Sequence, residues 1–437
     1  VLSYYRLKTR EKTDWMQKIQ DLPFPSQDIY HVVIFPTIKE SRDILEPGIQ
    51  SVLSQTFPTD RTILLLAIEE RASLEIHQAM ISLKKDYASH FFHFENVIHP
   101  ANLPGEAKVK GANVTYAARY AAGFLRQKGI PYENVLVSCF DSDTIISPQY
   151  LACLTYTFMV TPNRIQASFQ PIPVYHNNIW DVPGFARVIE TGSSFFLLME
   201  ATNPEKLVTF SSHSMSFKAL VDVGYWPVDM ISDDSAIYWK AFIHYDGNYQ
   251  VVPMYVTVSM DVAGCNNFKQ TAISVYKQKR RWAWGVENFP VVMRAFIKSS
   301  QISLFDKIRY SFRLFEGQIS WATWGLLLSF ISWLPVLMAG QDFLGSVLYY
   351  TAPRITRTIL HLASIALIIS IILNIGLLPS KRPHHTLLKR IGLALEWLAI
   401  PIIVVIFGSL PALDAQTRLM LGKHMEFWVT DKKRTTV

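Results

Sequence analysis

The chain changes character near residue 300, and that change restricts what it can fold into. Beyond it come two runs without a formally charged residue, 319–339 and 359–379, each long enough to cross about 30 Å of hydrocarbon as a helix. A third apolar run, 391–413, carries Glu396 and Pro401 and reads as a span or a re-entrant segment. A soluble core rarely supplies successive runs of this length, so residues 317–413 are expected to form a membrane region of about three segments. Immediately upstream, Leu304, Phe305, Ile308, Phe312 and Phe315 share one helical face, while Asp306, Lys307, Arg309 and Arg313 occupy the others. That pattern suits an amphipathic interfacial helix over 301–316, although a helix packed on a soluble domain has the same signature.

Residues 29–300 follow a different rule. Short apolar strands alternate with helical stretches, the pattern of an α/β domain with a largely parallel sheet. Strands are expected at 29–36, 62–68, 91–98 and 134–140, with helices over 41–55 and about 105–127. The unbroken apolar character of 134–140 marks a strand buried on both faces. Ligands of open α/β sheets bind at the carboxyl ends of the strands, so the Asp141-Ser142-Asp143 sequence directly after it stands in a favoured place for a site.

Charge and cysteine content narrow the setting. The 42 lysines and arginines exceed the 35 acidic residues by 7, and part of that excess lies in short clusters beside apolar runs, such as Lys381-Arg382 and Lys389-Arg390. This placement points to lipid headgroups or phosphates and away from nucleic acid. By the positive-inside rule the 380–390 loop is cytoplasmic, and two crossings return residues 1–300 to the same side. Residues 1–28, basic over 4–12, read as a juxtamembrane segment, and 414–437 as a C-terminal tail. The three cysteines, Cys139, Cys153 and Cys265, lack metal-binding spacing and fit reduced thiols of a cytosolic domain.

Three polar motifs carry chemistry. Asp141 and Asp143 flank one residue where the chain leaves a strand, so both carboxylates can turn to one side and hold a hard divalent cation. Aspartates also cap turns, and Pro148 fits a nearby helix start. Ser232-Asp233-Asp234 opens a helix; Ser232 as N-cap with acidic residues in the first turn would explain it structurally, and a general base would explain it functionally. Gln278, Arg281 and Trp282 lie at i, i+3 and i+4 and share a helix face, offering an amide, a phosphate-binding guanidinium and a sugar-stacking indole. An interfacial helix with tryptophans at the membrane boundary is the bland alternative. The 12 histidines form no HxxxH or HExxH pair.

The order of these motifs resembles the membrane-integrated family 2 glycosyltransferases, similar to cellulose and hyaluronan synthases, over about residues 29–300. The resemblance implies a Rossmann-like domain of GT-A type and an inverting transfer from a nucleotide diphosphate sugar, most often a uridine one, to a polysaccharide or glycolipid acceptor. Mg²⁺ or Mn²⁺ is the implied cofactor, and the plasma membrane, with the catalytic domain cytoplasmic, the implied location. Residue by residue, Pro36 and Thr37 match the proline segment beside the nucleotide. Glu69-Glu70 stand where the family has an aspartate pair contacting the base, and Lys108 with Asn113 resemble its Gly-Lys-x-x-Ala-Leu-Asn helix start. Asp141 and Asp143 correspond to the metal motif, and Ser232-Asp233-Asp234 to Thr-Glu-Asp, whose last carboxylate, Asp234, is the base. Gln278, Arg281 and Trp282 match the Gln-x-x-Arg-Trp signature. Glutamates in place of the aspartate pair leave donor recognition open, and Ser211-Ser212-His213-Ser214 lacks the usual Gly-Thr-rich form beside the acceptor. A single-addition lipid glycosyltransferase is the second enzyme reading, and an inactive donor-binding subunit or a transporter the non-enzyme one.

Overall fold

The computed structural model describes residues 1–23, 28–265, 267–330, 347–379, 392–393, 395–425, 428 and 434. Two short helices, α1 (Leu2–Arg10) and α2 (Trp15–Gln20), precede the first strand. Strands and helices then alternate as β1 (Tyr30–Thr37), α3 (Arg42–Leu53), β2 (Thr62–Glu69), α4 (Leu74–Tyr87), β3 (His93–His99), α5 (Lys110–Gln127) and β4 (Val135–Cys139). The second half runs β5 (Ile145–Ile146), α6 (Tyr150–Val160), β6 (Ala167–Val174), α7 (Gly184–Glu200), β7 (Ser214–Ser216), α8 (Phe217–Asp222), α9 (Asp233–His244), β8 (Gln250–Ser259), α10 (Phe268–Ala283) and α11 (Asn288–Lys298). Long helices follow: α12 (Leu304–Phe330), α13 (Val347–Leu377) and α14 (Glu396–Met420), the last with a π turn at Val405–Ser409.

The strands form one mixed sheet of eight in the order β3-β2-β1-β4-β7-β6-β8-β5. β3, β2, β1 and β4 are mutually parallel, and β7 is antiparallel to both β4 and β6. Alternation along each strand supplies two cores, because successive side chains leave opposite faces. Val32 and Ile34 of β1 join the cluster under α5 and α9, which contains the fully buried Ala117, Ala118 and Ala121 of α5. Val33 and Phe35 join the opposite cluster with Leu45 and Ile49 of α3 and Met80 of α4. The small alanine face brings α5 close to the sheet, and Asn113 Nδ2 donates to the Ala67 carbonyl at 2.8 Å, tying the first turns of α5 to β2. Asn113, Val114 and Thr115 are all buried at this contact.

The expected strands appear within a residue or two of their expected limits. The C-terminal third is more particular. The amphipathic stretch and the start of the first apolar run belong to one helix, α12, with no break at residue 316. Among the described residues, α14 is the helix long and apolar enough to cross a membrane. Both its ends are tied to the α/β domain. Glu396 accepts two hydrogen bonds from Arg187 Nη1 at 2.8 and 2.7 Å, in a notch that exists because Gly184 has no side chain. At the other end Arg280 of α10 pairs with Asp414 at 2.8 Å. The charged residue of the third apolar run is thus a partnered anchor. The basic 380–390 loop and residues 331–339 of the first run lie outside the described residues.

Candidate active site

A cavity of about 870 Å³ opens at the carboxyl ends of β1, β2 and β4. One side is lined by Pro36 and Thr37 after β1, Glu69 at the end of β2, Lys108 and Asn113 around the start of α5, and Asp141 and Asp143 after β4. Asp234 stands across from them, with Gln278, Arg281 and Trp282 of α10 completing the wall. Of the residues matched to nucleotide, metal, base and signature positions, Glu70 and Asp233 do not line this cavity, and Asp233 is buried beside Asp234.

The centre of the arrangement is Lys110. Its ammonium lies 2.7 Å from Asp234 Oδ1, 3.3 Å from Asp141 Oδ1 and 3.6 Å from Asp233 Oδ2. Burial by itself would depress a lysine, yet these three carboxylates together hold the Lys110 pKa well above its ordinary value. Three carboxylates around one ammonium favour holding a proton, and the most buried holds it most readily. Desolvation raises the Asp233 carboxyl far above the carboxylate range, against the pull of Lys110 and with Asp234 and Asp141 adding to the rise. The two neighbours therefore differ in kind: the Asp233 side chain is 2% exposed and the Asp234 side chain 24%.

Local folding explains the meeting. α5 approaches the loop before α9 so closely that a Cβ at Gly111 would stand 2.1 Å from the Pro227 carbonyl oxygen. Only glycine allows that approach, and it delivers Lys110 to the carboxylates. Ser232 precedes α9 but does not cap it; its hydroxyl and its backbone N–H both donate to Glu287 Oε1, at 2.7 and 2.8 Å. Capping therefore does not account for the serine, and Asp233 and Asp234 occupy the first turn, where acidic groups suit the helix dipole.

Further polar groups shape this wall. Glu40 gathers the turn after β1, its Oε2 accepting from the Thr37 hydroxyl at 3.2 Å and from the N–H groups of Ile38 and Lys39 at 3.0 and 3.1 Å. Glu69 faces the cavity with Arg71 at 3.3 Å and His99 at 3.5 Å, and His99 also reaches Glu106 at 2.8 Å. Glu70 turns away to accept from the Ala101 N–H at 2.7 Å. Asp143 is buried, and its Oδ2 accepts from the Asp261 N–H at 2.8 Å. Asp261, just beyond β8, pairs with Arg434 at 3.0 Å, and the same guanidinium donates to the Asp143 carbonyl at 3.1 Å. A cation is therefore already drawn to this wall. The donors on offer, Asp141, Asp143 and Asp261, are all oxygen, as hard divalent cations require. Among the described residues no group of three or more side chains forms a closed metal cage.

Residues 136–378, more than half of the chain, match the family described as glycosyl transferase family group 2. The chain belongs to this family. Among relatives of this glycosyltransferase, the poly-β-1,6-N-acetyl-D-glucosamine synthase of Staphylococcus epidermidis is 25% identical over 310 residues, covering 69% of the chain and 64% of the relative. The synthase of the same name from Staphylococcus aureus is 27% identical over 173 residues, 39% of each. The aligned part of the chain thus spans just under two thirds of the longer-matching curated relative. The mannosyltransferase PcManGT of Pyrobaculum calidifontis, solved with GDP-Man and Mn²⁺, has a TM-score of 0.49 at 13% identity, covering 97% of this chain and 95% of that one. TarS of S. aureus, residues 1–349 with UDP-GlcNAc, has a TM-score of 0.39 at 13% identity, covering 72% and 77%. At that level of similarity neither structure informs the site.

Several cavity residues of this glycosyltransferase have no motif to announce them. Lys110 is one: two lysines two residues apart compete for the helix-start pattern, and spacing to Asn113 selects Lys108, which is the exposed one. Asp261 and Tyr175 come from the ends of β8 and β6 and meet in the cavity only in three dimensions, and His99, from the end of β3, joins through Glu69. Met425 and Trp428 of the C-terminal tail also line the cavity, with Lys277 Nζ 5.5 Å from the Trp428 ring centroid.

Proposed function

We propose that this chain is a membrane-bound, inverting glycosyltransferase of GT-A type. It moves a sugar from a nucleotide diphosphate sugar to a growing glycan, with its α/β domain at the cytoplasmic face of the plasma membrane. UDP-N-acetylglucosamine is the donor favoured by the likeness to poly-N-acetylglucosamine synthases. The observation that carries the reading is the convergence of Asp141, Asp233 and Asp234 on Lys110, in the same cavity as Gln278, Arg281 and Trp282.

In this account the nucleotide lies along the ends of β1 and β2, with Glu69 at its base, held by Arg71 and His99. Arg281 binds diphosphate oxygens, for which a guanidinium fork is suited. A divalent cation, Mg²⁺ or Mn²⁺, held by Asp141 and Asp143 would offset the charge of the departing diphosphate. Asp234 is the base: it reaches the cavity, and Lys110 engages its Oδ1, which leaves Oδ2 to accept the acceptor hydroxyl proton. The acceptor oxygen then bonds to the anomeric carbon from the face opposite the leaving group. The carbon–oxygen bond to the diphosphate breaks, and its electron pair departs with the nucleoside diphosphate. Asp233, buried, favouring its protonated form and not reaching the cavity, is not available to take the proton, and its part is to shape the charge around Lys110. Trp282 offers an indole face to the acceptor sugar.

The test is turnover of purified full-length protein against a panel of nucleotide sugars, reading nucleoside diphosphate release and product size with and without Mg²⁺ or Mn²⁺. UDP-N-acetylglucosamine should be consumed in a metal-dependent way, and Asp143→Asn should remove that dependence along with most turnover. Unchanged turnover and metal response in Asp143→Asn would overturn the assignment. Product size separates a polymerase from a single-addition enzyme.

A further inference from the structure

Two charged residues sit beneath this cavity without reaching it. Lys279, one position past Gln278 in α10, and Glu190, in the middle of α7, are 4% and 0% exposed. Lys279 Nζ lies 2.9 Å from Glu190 Oε2 and donates to Ser193 Oγ at 3.2 Å. The same ammonium stands 3.7 Å from the centroid of the Trp282 ring. Phe210 meets that indole edge-on at 5.7 Å and 83°, and the Tyr175 ring lies 6.5 Å away. Trp282 lines the cavity, while Lys279 and Glu190 do not.

A buried ion pair is an expensive way to join two helices. Desolvation offsets most of the Coulomb gain, and apolar residues of similar volume commonly hold as well or better. Stability alone therefore gives little reason for a lysine and a glutamate between α7 and α10. A cation against an aromatic face, by contrast, is directional: the quadrupole draws it over the ring, and a desolvated contact of this kind strongly restricts ring tilt. Glu190 and Ser193 fix the ammonium, the ammonium fixes one face of the indole, and Phe210 fixes its edge. The same indole still lines the cavity.

We propose that Glu190 and Lys279 are positioning residues that hold Trp282 as a flat platform for the acceptor sugar. The sugar part of this rests on the proposed function; the clamp on the indole does not. Glu190 sets the lysine and Lys279 sets the ring, so loss of either loosens acceptor binding and leaves donor binding intact.

The experiment uses the full-length protein with 5-fluorotryptophan incorporated, the Trp282 fluorine resonance being assigned by its loss in Trp282→Phe. Variants are Lys279→Met, Glu190→Gln and the double variant, which removes both charges and spares the fold an unpaired one. Wild type should give one sharp resonance, and Lys279→Met and the double variant a split or broadened one. With UDP-N-acetylglucosamine and an N-acetylglucosamine oligosaccharide, the double variant should raise the acceptor KM about tenfold, the scale of a desolvated cation–π contact. Its kcat and donor Kd should change far less. If the double variant keeps the sharp Trp282 resonance, or regains wild-type stability together with wild-type acceptor KM, the pair only joins helices and the proposal fails. Wild-type protein that uses none of the sugars overturns the proposed function instead, and the resonance still decides the clamp.

Discussion

Asp233 and Asp234 are adjacent in sequence and chemically unlike, and their difference can be measured through pH. The folded state raises the Asp233 pKa, chiefly by burial, so folding favours its protonated form. The stability this contributes is complete below the ordinary carboxylate pKa and is lost as pH rises through the raised value. Asn at that position is neutral at every pH. The melting temperature of Asp233→Asn should therefore rise relative to wild type between about pH 5 and pH 9. A difference that stays constant across that range would show that Asp233 is an ordinary ionised carboxylate. Lys110 works on the same balance. Removing it would leave Asp141, Asp233 and Asp234 facing one another, a situation costing about 3–5 kcal/mol when a buried pair is broken.

At the scale of elements, the start of α5 decides whether the site exists. A methyl group at Gly111 would meet the Pro227 carbonyl oxygen at 2.1 Å, a backbone atom that cannot step aside. Gly111→Ala should cost about 1–3 kcal/mol, the usual range for overpacking, and displace Lys110 from its carboxylates. Gly123 lies in the same helix with nothing within 4 Å of an added Cβ, so Gly123→Ala should instead stabilise by about 0.5–1 kcal/mol. Thermal melts of the two variants check the pair, and equal effects would contradict the close-approach argument. This element also shows the reach and the limit of sequence reasoning. The strands β1, β2 and β4 were legible because two-sided burial writes itself as unbroken apolar runs such as 134–140. The exact register of α5 was not, because Lys108 and Lys110 differ only in which one the Gly111 contact turns inward. Glu190 beneath Trp282 and Asp261 beside Asp143 are brought in by packing between distant segments, which no local pattern records.

At the scale of the whole molecule, an α/β domain is joined to long C-terminal helices, of which α14 is long and apolar enough to cross a membrane. α12 carries Phe305, Ile308 and Phe312 as exposed apolar side chains, while its Leu314, Gln318 and Trp321 line the cavity. The helix with this exposed apolar face thus also walls the site, which under the proposed function suits an acceptor handed on at a membrane surface. A cysteine placed at Ser380 should resist an impermeant thiol reagent in intact cells and react after permeabilisation; labelling in intact cells would reverse the topology. Whether the carboxylates around Lys110 perform glycosyl transfer is decided by one comparison. Full-length wild type and Asp234→Asn are reconstituted in vesicles, and UDP released from UDP-N-acetylglucosamine is measured per folded molecule, alongside donor binding. Loss of a general base lowers kcat by about 10²–10⁴, so the account predicts a fall of that size in Asp234→Asn with donor Kd near that of wild type. A kcat in Asp234→Asn equal to wild type would contradict it.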